Sequence, residues 1–148
     1  MRILTGCALC CILLTRICSA VVIHETTSYP TPLKRISGSV IGYGNLNPGV
    51  KVEVFDKPEL WADDSLSFNE KRKRQKLIAT TRTDAKGRFD IRRVPKGTYE
   101  VQFSTGYDGG WNILSVFAKI DPAGSRERLC VKVALEGALE ESSVAGCH

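Results

Sequence analysis

The sequence predicts an all-β protein: an antiparallel β-sandwich of seven strands with one long loop insertion. Three observations carry that prediction. Apolar side chains recur at every second position in short runs, as in Val50, Val52 and Val54 and again in Tyr99, Val101 and Phe103, the period of a half-buried strand. The runs are separated by "NLNPG" at 45–49, "TDAKG" at 83–87 and "VPKG" at 94–97, whose Asn, Asp, Pro and Gly residues suit tight turns. Outside 67–76, convincing helical periodicity is almost absent.

Residues 1–20 stand apart from this domain. Arg2 precedes an apolar run from Ile3 to Leu14, and Cys18, Ser19 and Ala20 supply small residues for cleavage after Ala20. This is the layout of a secretory signal peptide, and its apolar run is short for a membrane span. The expected location is therefore secreted or periplasmic. Lipidation at Cys7 or Cys18 is the alternative. Almost no apolar segment precedes Cys7, and Thr15, Arg16 and Ile17 make a poor lipidation box before Cys18. Removing Arg2 and Arg16 from the 21 basic residues leaves a net charge of +3 against 16 acidic ones, too little to argue for a nucleic-acid partner.

Residues 21–35 carry Pro30 and Pro32 without a sustained period and read as a tether. The domain follows at 36–135. "ISGSVIGY" at 36–43 is the first strand, with Gly38 and Gly42 allowing close approach. "VKVEVF" at 50–55 is the second, with Lys51 and Glu53 opposite its valines. Residues 56–76 break the rhythm with an insertion of a length that is either functional or loosely ordered. Residues 67–76 within it contain good helix formers. "LIATTRT" at 77–83 resumes strand character, and Phe89 and Ile91 alternate with Arg88, Asp90 and Arg92. Tyr99, Val101 and Phe103 alternate with Glu100 and Gln102, which are expected on a wet outer face. In "NILSVFAKI" at 112–120, Leu114, Val116, Ala118 and Ile120 face one way and Ile113 and Phe117 the other. A strand apolar on both faces needs cover on both, and the tail at 136–148 is expected to supply it. In "RLCVKVAL", Leu129, Val131 and Val133 share a face that excludes Cys130. With the leader removed, Cys130 and Cys147 remain as an even pair in an exported chain, so a disulfide pinning the tail is expected.

The stretches 83–89, "TDAKGRF", and 94–99, "VPKGTY", with "SGSVIG" at 37–42 and "NPGVKVEV" at 47–54, resemble the signature of carboxypeptidase regulatory-like domains. These are transthyretin-like modules attached to metallocarboxypeptidases and abundant in exported bacterial proteins. The resemblance covers residues 36–135. It implies a prealbumin-like Greek-key sandwich of the carbohydrate-binding-like fold superfamily and is nearly silent on activity. The insertion at 56–76 departs from the pattern.

Catalysis finds little footing, and the chain is expected to be non-catalytic, without cofactor or metal. His24 lies in the expected tether and His148 is the last residue. His24-Glu25-Thr26-Thr27 meets Ser28 where a zinc HExxH motif needs a second His. A catalytic Ser or Cys would need a base held beside it. Hydroxyisourate hydrolases, which resemble transthyretin, end in Tyr-Arg-Gly-Ser, whereas this chain ends in Ala145, Gly146, Cys147 and His148. A small uncharacterised hydrolase stays open as a distant alternative.

Binding or protein interaction is the expected role, with a glycan or a cell-envelope protein as partner. Trp61, Tyr107, Asp108 and Trp111 form a candidate sugar-binding set, since aromatic faces stack on sugar rings and a carboxylate bonds their hydroxyls. The competing possibility is that Trp111 begins a strand and packs inside. Lys71, Arg72, Lys73, Arg74 and Lys76 form the densest charge run, a candidate patch for an anionic partner or simply a solvated loop.

Overall fold

The computed structural model describes residues 21–42, 45–107, 110–133 and 142–147. The expected leader, residues 1–20, lies outside them, as do residues 134–141 and His148. The strands are β1 (Val21–Ser28), β2 (Ile36–Gly42), β3 (Asn45–Leu46), β4 (Lys51–Phe55), β5 (Leu77–Arg82), β6 (Arg88–Ile91), β7 (Gly97–Tyr107), β8 (Gly110–Ile120), β9 (Arg128–Lys132) and β10 (Ser143–Cys147). All seven expected strands are present, as β2 and β4 to β9, and β1, β3 and β10 are added to them.

The strands form two five-stranded sheets. The first runs β1-β8-β7-β4-β5, and the second runs β10-β9-β2-β3 with β6 also paired to β2. Both sheets are mixed. β1 lies parallel to β8 and β2 parallel to β9, while the other pairs are antiparallel. The expectation of a wholly antiparallel sandwich is corrected here. A period of two reports which face a residue takes, and says nothing of strand direction. The segment 21–28, expected as a tether, is a strand because its β-branched residues suit a pleated edge and β8 offers it a free ladder.

The core lies between the sheets and follows the predicted alternation. Val52, Val54, Val101, Phe103, Leu114, Val116, Leu129 and Val131 are fully buried, and each such side chain contributes roughly 1.5–3 kcal/mol. Phe89 meets Phe103 edge-on at 5.3 Å between centroids. Two glycines are required by this geometry. A Cβ at Gly38 would meet the Leu129 carbonyl oxygen at 1.9 Å, so only glycine lets β2 and β9 approach. Gly87 has a φ of 65° and closes the turn in which Asp84 Oδ1 accepts from the Lys86 and Arg88 amides.

Cys130 and Cys147 form a disulfide with a Cα–Cα distance of 5.2 Å. It ties β10 to β9, where Cys130 pairs with Ala145 and Cys147 with Arg128. The described part of the tail therefore lies beside β9 at the edge of the second sheet, and not over the outer face of β8.

Candidate functional site

The outer face of the first sheet is covered by the insertion. It folds as a 3₁₀ helix η1 (Pro58–Ala62) and a helix α1 (Phe68–Arg74). Ser67 caps α1 in a reciprocal box: its side chain accepts from the Glu70 amide, and Glu70 Oε2 accepts from the Ser67 amide at 2.9 Å. Asp56 and Lys76 close the base of the insertion, with the Asp56 amide donating to the Lys76 carbonyl at 3.1 Å and the Lys76 amide to Asp56 Oδ1 at 2.6 Å.

Beneath it sits Glu100, fully buried on β7. The alternation that puts Val101 inward puts Glu100 outward, where water was expected and the insertion intervenes. Its carboxylate accepts from five donors. Arg72 Nη2 at 2.9 Å and Ser115 Oγ at 2.5 Å reach Oε1; Arg72 Nη1 at 3.2 Å, Trp61 Nε1 at 2.7 Å and Gln75 Nε2 at 2.8 Å reach Oε2. Arg72 also bonds Gln102 and stacks 3.7 Å above the Phe55 ring centroid. Burial alone pushes the Glu100 carboxyl up, but the hydrogen bonds from Arg72, Ser115 and Trp61 outweigh it and hold it below its usual range.

His24 completes the cluster from β1. Its Nε2 lies 2.9 Å from Ser115 Oγ, and its ring lies 4.4 Å from that of Trp61. Because the Ser115 proton goes to Glu100, His24 Nε2 is the donor to Ser115. Desolvation lowers the His24 pKa, assisted by the Arg72 and Lys71 charges and opposed chiefly by Glu100. Ser115 is fully buried, and its proton is committed to the Glu100 carboxylate.

The sequence-predicted residues thus divide. Trp61 is half-buried and engaged with Glu100 and His24. Asp108 lies outside the described residues, and so do the side chains of Tyr107 and Trp111, whose backbones pair in β7 and β8. The basic run does not form one patch. Lys71 is buried with its Nζ on the Trp61 carbonyl at 3.2 Å, Arg72 is bound to Glu100, and Lys73, Arg74 and Lys76 are exposed.

A second constellation lies at the opposite concern of charge: an open, cationic end of the sandwich. Lys34 and Arg35 precede β2, Arg92 and Arg93 follow β6, and Arg126 precedes β9. The pairings Ile36 with Ile91 and Gly38 with Leu129 bring these three connections to one end. Fully buried Leu33 anchors the first connection, its amide on the Lys119 carbonyl and its carbonyl on the Asp121 amide at 2.9 Å. The Lys34 amide donates to the Ser125 carbonyl at 2.7 Å. The five cations line a cleft of about 440 Å³. All five are exposed. Arg92 pairs with Asp90 at 3.0 Å and Arg35 with Asp90 at 3.8 Å. The side chains of Lys34, Arg93 and Arg126 have no partner among the described residues.

Arg93 holds a φ of 64°, a backbone region that non-glycine residues enter at a cost of about 1–3 kcal/mol. A second cleft of about 400 Å³ adjoins the first through Arg35 and is lined also by Arg82, Arg88 and Arg128, with Asp84 and Asp90 as its carboxylates. Ser37 lines it too. Ser37 is 2% exposed, and its Oγ has no hydrogen-bond partner among the described residues. The sequence signal for this end was the pair Lys34-Arg35, the pair Arg92-Arg93 and the triplet Arg126-Glu127-Arg128, each in a separate connection. Among the described residues, no helix is long and apolar enough to cross a membrane. Compared with family models and with curated proteins, the chain matches none.

Proposed function

We propose that this chain is an exported, non-catalytic β-sandwich module of the carboxypeptidase regulatory-like kind, acting by binding, with its contact surface at the arginine-rich end. On this proposal β2 and β4 to β9 are the prealbumin-like Greek-key frame, and β1, β3 and β10 are additions to it. The observation that carries the proposal is the cleft formed by five exposed cations, three of them without a partner among the described residues. Unpaired guanidinium groups gathered in a concavity raise the local positive potential and attract anions. The covered face supports the same reading, because its polar groups are consumed by holding the insertion. A disulfide fits an oxidising compartment.

A charge-matched comparison tests the proposal. Arg93→Glu with Arg126→Glu and Lys73→Glu with Arg74→Glu change net charge equally. On a sulfonated cation-exchange resin, the first variant is expected to elute at clearly lower salt than the second. Equal elution would show that the end is only part of a diffuse positive surface.

A further inference from the structure

We infer that the arginine-rich end binds a sulfated linear polysaccharide, which lies in the first cleft and continues past Arg35 into the second. This inference rests on the binding reading and names its ligand. Four of the five residues in the first cleft are arginine. A guanidinium offers a planar fork of donors that matches two oxygens of a tetrahedral oxyanion, which the point charge of a lysine does not. Phosphate esters share that chemistry, so the polymer that carries the oxyanion has to be identified from the rest of the surface.

The two clefts are joined. Arg35 lines both, and Arg92 of the first is bonded to Asp90 of the second. A compact anion would fill one of them, whereas a chain with repeated charges engages both. The disulfide fits the oxidising compartment to which the expected leader points, where polysaccharides are met. The lining argues against other polyanions. Single-stranded nucleic acid is held by exposed aromatic rings on which bases stack, and among the described residues the one ring along either cleft is Phe89, 4% exposed in the core. Stable membrane binding adds apolar groups in the headgroup region to the attraction of basic residues for anionic lipid. The exposed large hydrophobic residues among the described ones are Leu46, Phe68 and Leu77, none of which lines a cleft. Acidic protein partners usually bring aromatic anchors to receiving pockets, and these clefts are walled by charge.

Two local features fit a bound chain. Arg93 keeps a strained backbone that presents an unpaired cation at the cleft, where glycine would be easier for the fold. Ser37 carries a buried hydroxyl with no partner inside the described protein, and it lines the second cleft. Such groups are uncommon in finished folds, and an oxyanion that displaces part of the second cleft's lining would reach the hydroxyl and complete it.

Dextran sulfate, unsulfated dextran, polyphosphate, single-stranded DNA, polyglutamate and phosphatidylserine vesicles can be compared as probes by titration calorimetry at about 0.15 M salt. Dextran sulfate is expected to bind most tightly, with unsulfated dextran silent. Arg93→Gly is expected to weaken it about tenfold, the scale of one lost charge-assisted contact, while melting no lower than the parent. Ser37→Ala is expected to weaken it also, with thermal stability kept or raised. Tighter binding of DNA, polyphosphate, polyglutamate or vesicles than of dextran sulfate overturns the polysaccharide assignment and leaves the binding reading standing. Binding of dextran sulfate that ignores Arg93→Gly overturns both. Indifference to Ser37→Ala alone removes the second cleft, and with it the extended path.

Discussion

Glu100 shows how one residue fixes the fate of a whole segment. A buried carboxylate without partners is too costly to keep, and here five donors satisfy it, with Arg72 supplying the charge. Removing only one member of the ion pair leaves the other uncompensated. Arg72→Met is therefore expected to destabilise the protein by about 3–5 kcal/mol, measured by urea unfolding. Adding Glu100→Gln to it should restore much of the loss, since the amide oxygen still accepts from Trp61 or Ser115 while the stranded charge is gone. If the double variant is no more stable than Arg72→Met alone, the ion pair is not what holds the cluster. His24 gives the same cluster a pH dependence. Its folded-state pKa lies below the ordinary 6.5, so in the window just below that value the unfolded chain binds more protons than the folded one. Stability then falls as the medium is acidified. The carboxyl of Glu100 is also held low, so its contribution persists above 4.5 and is lost only at more acidic pH, as its folded value is crossed. The urea midpoint should decline from about pH 8 to about pH 5, and His24→Gln should flatten that decline. An unchanged slope in the variant would assign it to other groups.

At the scale of elements, strands were legible and their neighbours were not. The alternation in Leu114, Val116, Ala118 and Ile120 gave the buried face of β8 correctly, because a pleat admits only two faces. The same logic set Cys130 opposite Leu129 and Val131, and the disulfide with Cys147 follows that placement. The parallel pairings of β1 with β8 and β2 with β9 left no trace in local periodicity, since direction depends on chain path. The helix in the insertion was legible from residues 67–76, whereas its seat on the sheet was not, because Glu100 looks like any outward polar residue until Arg72 lies above it. Alternation also gave no warning that β1 is a strand, because the Pro30 and Pro32 signals dominate that segment and its polar residues show no sustained period. The cross-link offers a test at this scale. Its cysteines are separated by 17 positions, and closing a loop of that size contributes on the order of 3 kcal/mol by restricting the unfolded chain. Cys130→Ala with Cys147→Ala is expected to lose about that much in chemical denaturation, with the far-ultraviolet dichroism of the sheets retained. A loss near zero would mean that β10 is held by its ladder alone.

Across the described molecule, the first and last strands, β1 and β10, occupy sheet edges, and this decides how the sandwich protects itself. Charge follows topology in the same way: Lys34, Arg93 and Arg126 are remote in sequence and meet because β2, β6 and β9 share an end. That convergence was invisible in a chain whose net charge is only +5, since a sum carries no position. The edge strand β1 is the more demanding case. It pairs along β8 from Val21 with Gly110 to Ser28 with Phe117, so deleting 21–28 would leave a long row of unpaired amides and carbonyls on β8. It would also remove His24 from its contacts with Trp61 at 4.4 Å and Phe68 at 5.2 Å, loosening the seat of the insertion. An open edge of that length is a template for another strand. The deletion variant is therefore expected to associate with rising concentration in size-exclusion chromatography, and to melt at least ~5 °C below the parent. Restoring an unrelated β-branched strand with Gln at the His24 position should recover the parent's elution volume but only part of the melting temperature, because ladder and cluster are separate contributions. A deletion variant that elutes and melts with the parent would return residues 21–28 to the role of a tether.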